Sequence, residues 1–318
     1  MPLDSLLKFL DDPCLRITPS FCQNDPFEFG YSNVDLEKLN LISKTGNLGD
    51  DLKDYSNLHG IISLSSTYKN ILMWSHYADN HSGAVVEFFI NENKPLDHFI
   101  NNVNRGLHPT LFDSSLFNEV IYSEERPFNV KGNLINLELI KQHYYFTKAK
   151  PWVYEDEYRF ILPASLVSKI IFSQEGLEMA KKLSNRLLYA KCLNPETEST
   201  NRKYIIDGSD ISLINSELLI ELWKLSKGKD IMFFIRVNTG TPGHNSGCIG
   251  KIYLGCKVEE EKLISKLRND KYSDFGIHRF YYSINPQNMY EQTIQNIFKG
   301  YIHKNEYKLK FNCIERTL

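Results

Sequence analysis

The mixture of strand-type and helix-type segments, in no regular order, constrains this fold more than any other feature of the sequence. Residues 83–90 (GAVVEFFI) and 231–237 (IMFFIRV) are rich in the β-branched and aromatic residues that favour strands. Residues 134–146 carry apolar side chains at the spacing of an amphipathic helix. No regular alternation of strand and helix and no internal repeat is present. The chain is therefore predicted to be an α+β protein with peripheral helices.

The domain organisation predicted from the sequence is a single domain over residues 1–318. A largely helical insertion is expected at about residues 176–230, and the tail after residue 290 has no clear pattern. Linker-like composition is limited to residues 194–202 and 239–247. The second of these segments is rich in glycine but matches neither the Rossmann nor the P-loop pattern, which argues against both folds.

Charge and cysteine content exclude several classes of protein. The net charge of −2 argues against a broad nucleic-acid-binding surface, because such surfaces are usually basic. The six cysteines form no CxxC pair, so no metal site is expected. Residues 1–21 contain no long apolar run, and no stretch of about 18 apolar residues occurs. We therefore expect no signal peptide and no membrane association, and a cytoplasmic protein with reduced cysteines.

Aromatic side chains are unusually abundant, with 18 Tyr, 19 Phe and 3 Trp making up 13% of the chain. One interpretation is a β-rich core, because aromatic residues pack well on pleated surfaces. The other is a surface on which a nucleotide base or a nicotinamide ring stacks. Both interpretations stay open at this point.

Two short segments are candidates for a binding site. Asn24-Asp25-Pro26 is a turn sequence, either purely structural or presenting Asn24 or Asp25 to a pocket. The second segment is Trp74-Ser75-His76-Tyr77, whose polar and aromatic side chains cannot all be buried without a role. His76 suits acid–base chemistry or ligand binding, as histidine side chains commonly do.

The third candidate is the segment from Trp152 to Arg159, which contains three carboxylates and an arginine. If a strand begins near Tyr158, Glu157 and Arg159 point to the same face of the sheet. The pair is then either a salt bridge that supports the sheet or a site in which Glu157 faces a cleft. Trp152, Tyr154 and Glu155 would contribute to that second arrangement as binding residues.

Taken in order, these segments resemble a bacterial family, domain-of-unknown-function family 2971. The matching residues are 23–28 (QNDPFE), 62–65 (ISLS), 72–79 (LMWSHYAD) with His81 and Gly83, then Lys150, Trp152, Tyr154, Glu155, Glu157, Tyr158 and Arg159, and finally 252–255 (IYLG). The set covers roughly residues 15–290. Two departures are the Gln23 that replaces an expected Phe and the length of the 176–230 segment.

A looser similarity in motif order is to ADP-ribosyltransferase-like folds. That resemblance implies a mostly antiparallel sheet split around a cleft, with NAD as the substrate and no metal. It also implies a His or Arg on an early strand, a Tyr or Ser in the middle and a late Glu. Arg16 or His76 would then hold ribose or phosphate, Trp74 or Tyr77 would stack on nicotinamide, and Glu157 would stabilise the developing oxocarbenium ion.

The expected function is therefore a nucleotide-handling enzyme, ADP-ribosyltransferase-like or NAD glycohydrolase-like. The bacterial occurrence of the family suggests a toxin or an anti-phage defence effector, with a protein partner in that system. One alternative is a non-catalytic module that binds a ligand or a protein through the same residues. A second alternative is a nuclease, which the local Lys and Arg residues allow but the overall charge disfavours.

Overall fold

The structure is a computed structural model of the chain. It describes all residues except 24, 26–27, 44–45, 92, 101–115, 126–135, 185–186, 188–189, 196–201, 227, 242–244, 260–262, 264–296, 303–308 and 314–318. The sequence also predicts a helix at residues 259–267, entered through acidic residues, and a strand at residues 278–284 (HRFYYSI). Both segments lie almost entirely outside the described residues.

Helices and strands alternate irregularly along the described residues, as the sequence predicts. The α-helices are α1 (Leu3–Asp11), α2 (Asn33–Ile42), α3 (Leu48–Leu58), α4 (Ile71–Tyr77), α5 (Pro95–Phe99), α6 (Leu137–Phe146), α7 (Gln174–Lys181) and α8 (Ser216–Leu225). The first eight strands are β1 (Cys14–Pro19), β2 (His59–Ser65), β3 (Ala84–Phe88), β4 (Leu116–Glu119), β5 (Ile121–Ser123), β6 (Thr147–Ala149), β7 (Glu157–Pro163) and β8 (Lys169–Ser173). The remaining strands are β9 (Lys191–Cys192), β10 (Lys203–Asp207), β11 (Ile231–Arg236), β12 (Gly240–Thr241), β13 (Asn245–Ser246), β14 (Ile249–Leu254), β15 (Ile297–Ile302) and β16 (Leu309–Cys313).

Two compact units share the chain, and both are discontinuous in sequence. The first comprises Met1–Leu15, Ser66–Arg105 and Arg236–Leu318, and the second comprises Arg16–Ser65 and Gly106–Ile235. Compact units of this kind can belong to one domain, so the single domain with an insertion at 176–230 stays a prediction. Residues 176–230 contribute β9 and β10 to a sheet as well as α8.

The second unit is organised around an eight-stranded sheet with the strand order β4-β7-β2-β1-β11-β8-β10-β9. Every pairing in it whose register is described is antiparallel. Together with the surrounding helices, this sheet confirms the predicted α+β class. One face of β2 and β7 buries Ile61 and Ile161 against a core rich in tyrosine and phenylalanine. Here the abundance of aromatic residues serves core packing.

A four-stranded sheet with the order β16-β15-β14-β3 forms the centre of the first unit. β14 pairs with β15 in parallel and with β3 in an antiparallel arrangement. None of the helices among the described residues is long and apolar enough to cross a membrane.

One helix differs from the expectation drawn from the sequence. The Gly and Asp content of residues 46–51 predicts a loop, and this prediction is wrong in part because α3 begins at Leu48. The reason is close packing on α2, since a Cβ at Gly49 would lie 2.3 Å from the Leu36 carbonyl oxygen. Gly49 is therefore required for the contact between two helices rather than for a turn.

Candidate functional site

The strand pair β2–β7 carries a row of polar residues on one face. Glu157 lies opposite Ser65, and Arg159 lies opposite Ser63. Because side chains alternate between the faces of a strand, all four point to the same side of the sheet. The sequence-based expectation that Glu157 and Arg159 share a face is thus met by the observed register.

Arg159 is 1% exposed and is held by hydrogen bonds on every nitrogen of its guanidinium group. Its Nε donates to Glu157 Oε1 at 2.7 Å, and its Nη2 donates to Glu157 Oε2 at 2.9 Å. Nη2 also reaches Glu28 Oε1 at 2.7 Å, and Nη1 donates to the Tyr145 carbonyl oxygen at 2.8 Å. Such a two-point contact fixes the orientation of the Glu157 carboxylate as well as its charge.

Lys148 is the second cation of this cluster and contacts three carboxylates. Its Nζ lies 2.5 Å from Glu155 Oε2, 3.1 Å from Glu157 Oε2 and 3.4 Å from Glu28 Oε1. All five charged side chains are less than a tenth exposed. The cluster, defined here as Glu28, Lys148, Glu155, Glu157 and Arg159 and called the charge cluster below, contains one more carboxylate than it has cations.

The two cations control the ionisation of the charge cluster. Burial by itself raises the pKa of Glu157, but Arg159, Lys148 and the Ser63 hydroxyl outweigh it and hold the pKa below its ordinary value of 4.5. Burial also lowers the pKa of Lys148, yet the surrounding carboxylates raise it to about 12. At neutral pH, Glu157 is therefore a carboxylate and Lys148 an ammonium group.

Exposed residues of β2 and β1 lie beside the charge cluster. Ser63 and Ser65 are exposed although Glu157 beside them is buried. Thr18 pairs with Ile61, so Arg16, two residues earlier on β1, lies on the same face as Ser63. Arg16 is exposed, and its guanidinium group donates to the Gly228 carbonyl oxygen. Arginine, serine hydroxyls and the Glu157 carboxylate thus follow each other across three adjacent strands.

Two aromatic residues precede the carboxylates on a 3-10 helix, Lys150–Glu155. Trp152 and Tyr154 are half-buried, and their ring centroids lie 6.0 Å apart. Lys148 Nζ lies 5.1 Å from the centroid of the Trp152 ring. Asp156 ends the 3-10 helix in the left-handed region (φ 47°), which turns the chain directly into β7 at Glu157.

The Trp74–Tyr77 segment lies on α4 in the first unit. Trp74 is 1% exposed, donates from Nε1 to the Tyr68 carbonyl oxygen at 2.6 Å and packs with Tyr253. His76 is exposed and Tyr77 is 44% exposed, with their rings edge to face at 6.4 Å. The sequence therefore places one core residue and two surface residues side by side.

A strained turn follows α4. Asp79, Asn80 and His81 all have positive φ values, of 49°, 49° and 70°. Their backbone is tied to α4, because the Asn80 and His81 amides donate to the Ser75 and Trp74 carbonyl oxygens. A Cβ at Gly255 would lie 2.0 Å from the His81 carbonyl oxygen, so Gly255 lets another segment close over the turn.

One comparison with known proteins finds a match to part of the chain. Residues 73–160 match the model of a family described as "Protein of unknown function (DUF2971)". The predicted family is confirmed over this segment. No curated protein and no solved structure matches the chain. The DUF2971 segment includes α4 from its third residue onward, the strained turn, Lys148 and the Trp152–Arg159 residues, whereas Arg16, Glu28 and Ser63 precede it.

The predicted site residues fall into two groups. Arg16, Trp152, Tyr154, Glu155, Glu157 and Arg159 belong to the second unit, as does the buried Asp25; Trp74, Ser75, His76 and Tyr77 belong to the first unit. Asn24 lies outside the described residues. The packing of Trp74 leaves its indole no exposed face, so stacking by Trp74 stays a prediction that would require this segment to rearrange.

Sequence reasoning gave no site role to Glu28, Lys148 or Ser63, although each stands in or beside a motif. Glu28 ends the NDPFE sequence and meets Arg159 across 131 residues of chain. No local pattern signals a contact of that sequence separation. Of the side chains that the structure describes, no group of three or more His, Cys, Asp or Glu is arranged to hold a metal ion.

Proposed function

We propose that this protein is a nucleotide-handling enzyme that cleaves the nicotinamide–ribose bond of NAD, in the manner of ADP-ribosyltransferase-like or NAD glycohydrolase-like enzymes. The observation that carries the proposal is the shared face of Arg16, Ser63 and Glu157 on three adjacent strands. It is the order that the resemblance implies, with an early arginine, a serine in the middle and a late glutamate.

The chemistry of this face suits the breaking of a glycosidic bond. As nicotinamide leaves, positive charge develops on the ribose, and a fixed carboxylate stabilises that charge. Glu157 is ionised, and Arg159 and Lys148 prevent it from rotating. The exposed guanidinium group of Arg16 would bind a phosphate, because arginine matches phosphate oxygens in geometry and charge. Trp152 and Tyr154 offer partly exposed rings for stacking.

The proposed setting is a bacterial toxin or an anti-phage defence effector, because an enzyme that consumes NAD stops the metabolism of the cell that contains it. A protein partner would then restrain the activity until infection. Induced expression in bacteria should lower the cellular NAD content and stop growth, and the Glu157→Gln variant should do neither. Normal growth and NAD content on expression of the wild type at a measured protein level would contradict this setting.

The direct test is release of nicotinamide from NAD, followed by chromatography, with purified protein alone and with added cell extract. Wild-type protein should release nicotinamide, and Glu157→Gln should abolish the release. Glu178→Gln is the matched control, because Glu178 is an exposed residue of α7 that pairs with Lys181 on the surface. Absence of release from the wild type under both conditions would refute the proposal.

Folding of the variants is checked by circular dichroism, because Glu157 is a partner of the buried Arg159. Arg16→Gln gives a second test, since Arg16 is exposed and its replacement leaves the charge cluster intact. It should raise the KM for NAD with a smaller effect on kcat, as expected for a residue that binds phosphate.

A non-catalytic ligand- or protein-binding module is the second candidate. The observation in its favour is that both oxygens of the Glu157 carboxylate already accept hydrogen bonds from Arg159, as in a purely structural ion pair. Binding of NAD or ADP-ribose measured by calorimetry, with an affinity that survives Glu157→Gln and without nicotinamide release, would favour this candidate.

A further inference from the structure

The outer face of α2 carries apolar side chains, unlike the outer faces of α7 and α8 in the same unit. Val34, Leu41 and Ile42 are 56%, 84% and 50% exposed. On α7 and α8, every exposed position is polar or charged. Val34 and Leu41 are seven residues apart, which is about two helical turns, so their side chains lie on one stripe of the helix. Several exposed apolar residues on one face indicate an interaction surface, whereas single ones need no explanation.

The inner face of α2 explains why these residues stay exposed. Leu36 and Leu39 are 5% and 2% exposed, and Leu39 belongs to the aromatic core of the second unit. The backbone of Leu36 also packs closely on Gly49 of α3. A rotation of α2 that buried Val34 and Leu41 would expose both inner leucines and break this contact. Within a single copy of the chain, the outer face therefore has no route to burial.

The charges on this outer face make it complementary to itself. Glu37 and Lys38 are exposed between the two apolar residues, and neither has an ion-pair partner among the described residues. Val34 and Leu41 stand equally far along the helix from the midpoint between Glu37 and Lys38. A two-fold rotation about that midpoint places Val34 of one copy opposite Leu41 of a second copy. The same rotation places Glu37 opposite Lys38.

We propose that two copies of this chain associate through antiparallel α2 helices, using Val34, Glu37, Lys38 and Leu41, which are called the α2 face below. Each contact occurs twice, so the pair of helices has two apolar contacts at each end of two ion pairs. α2 has ten residues and is about 15 Å long, so the helices alone bury less than the roughly 800 Å² per partner of a stable complex. The dimer is therefore reversible, with a Kd on the order of micromolar.

Sedimentation velocity of the whole chain, over a concentration series that spans the micromolar range, tests the proposal. The wild type should pass from monomer to dimer as the concentration rises. Leu41→Ser should raise the Kd by about tenfold or more, because the dimer loses the same apolar contact in both copies. Ile121→Ser is the matched control, since Ile121 is 68% exposed on β5 and outside the α2 face, and it should leave the Kd unchanged.

Two results of this series would overturn the proposal. One is a wild type that stays monomeric throughout, even if the α2 face then binds a different protein or a lipid vesicle. The other is a dimer whose Kd is the same for Leu41→Ser as for the wild type, because the interface would then lie elsewhere.

Reversal of the two charges tests the antiparallel arrangement itself. Glu37→Lys sets two pairs of like charges opposite each other and should raise the Kd by about tenfold. The double variant Glu37→Lys/Lys38→Glu recreates opposite charges across the two-fold axis and should return the Kd to within about threefold of the wild type. Failure of the double variant to restore association would overturn the antiparallel pairing. Both residues are exposed, and circular dichroism checks the fold; Lys38→Glu makes the same test if Glu37→Lys does not fold.

Discussion

The charge cluster around Glu157 and the strained turn at Asp79–His81 both carry a cost in folding free energy, but the physical origin of the cost differs. The charge cluster keeps five ionisable side chains away from water, and its cost is desolvation that ion pairs must offset. The turn holds three consecutive non-glycine residues at positive φ, and its cost is backbone strain. The charge cluster should therefore respond to changes in charge, pH and salt, and the turn should respond to backbone substitutions.

The turn also shows how a strained conformation is maintained. The amides of Asn80 and His81 donate to carbonyl oxygens of α4, and the Lys257 amide donates to the His81 carbonyl oxygen at 3.1 Å. The Nδ1 atom of His81 is buried and has no hydrogen-bond partner among the described residues. Strain and unsatisfied polar atoms concentrate at functional positions in proteins. The turn is therefore a second region, beside the charge cluster, in which substitutions should be tested.

The largest effect in this comparison is expected from Arg159→Met. The substitution leaves three carboxylates around a single ammonium group in a buried position. Breaking a buried pair by removing one partner typically costs about 3–5 kcal/mol of unfolding free energy. Urea denaturation, monitored by circular dichroism, measures this loss of unfolding free energy. Lys181→Met is the control, because the Lys181–Glu178 pair lies on the surface and should contribute less than about 1 kcal/mol. Equal losses in the two variants would mean that the cluster does not stabilise the fold.

The next largest difference between the two regions is expected in the pH dependence of the unfolding free energy. The pKa of Glu157 in the folded protein is lowered from 4.5, mainly by Arg159 acting against burial. The stability that its ionisation contributes is therefore complete above pH 4.5 and is lost as the pH falls through the lower, folded value. The difference in unfolding free energy between wild type and Glu157→Gln should be constant near neutrality and shrink below pH 4.5.

In this pH series, Gly255→Ala is the comparison variant for the turn, because Gly255 packs against His81. Its Cβ would lie 2.0 Å from the His81 carbonyl oxygen, which is a steric effect without charge. The destabilisation that it causes should stay the same from neutral pH to pH 4. A difference that shrinks in parallel with that of Glu157→Gln would show that the measured change is general acid unfolding.

The sequence predicted the part of the charge cluster that depends on local pattern. Strand alternation alone places Glu157 and Arg159 on one face, and the register confirms it. Glu28 could not be found in this way, because its contact with Arg159 joins segments 131 residues apart. Lys148 stands close in sequence, but only the turn at Asp156 brings its ammonium group to Glu157.

The sequence predicts a turn at residues 80–82 before the strand at 83–90, but it does not predict the positive φ values of that turn. Positive φ is predictable where glycine occurs, and Asp79, Asn80 and His81 are not glycines. The nearby Gly83 and Gly255 do mark the region, because close backbone contacts exclude a Cβ at both. Trp74 illustrates the converse problem: its polar neighbours suggested a binding residue, whereas its indole is packed as core. A run of mixed residues on a short helix does not reveal which of them faces inward.

The smallest effect is expected from Asn80→Gly, which tests whether the turn is strained at all. Glycine adopts positive φ without steric cost, so relief of strain should raise the unfolding free energy of the variant by up to about 1 kcal/mol. The larger conformational entropy of glycine in the unfolded chain reduces this gain. The control is Asn93→Gly, at an exposed turn position without positive φ, which should lose about 0.5–1 kcal/mol. Thermal unfolding of both variants measures the contrast. If Asn80→Gly is destabilised as much as Asn93→Gly, then the Asn80 side chain itself holds the turn, and backbone strain does not distinguish this region from the charge cluster.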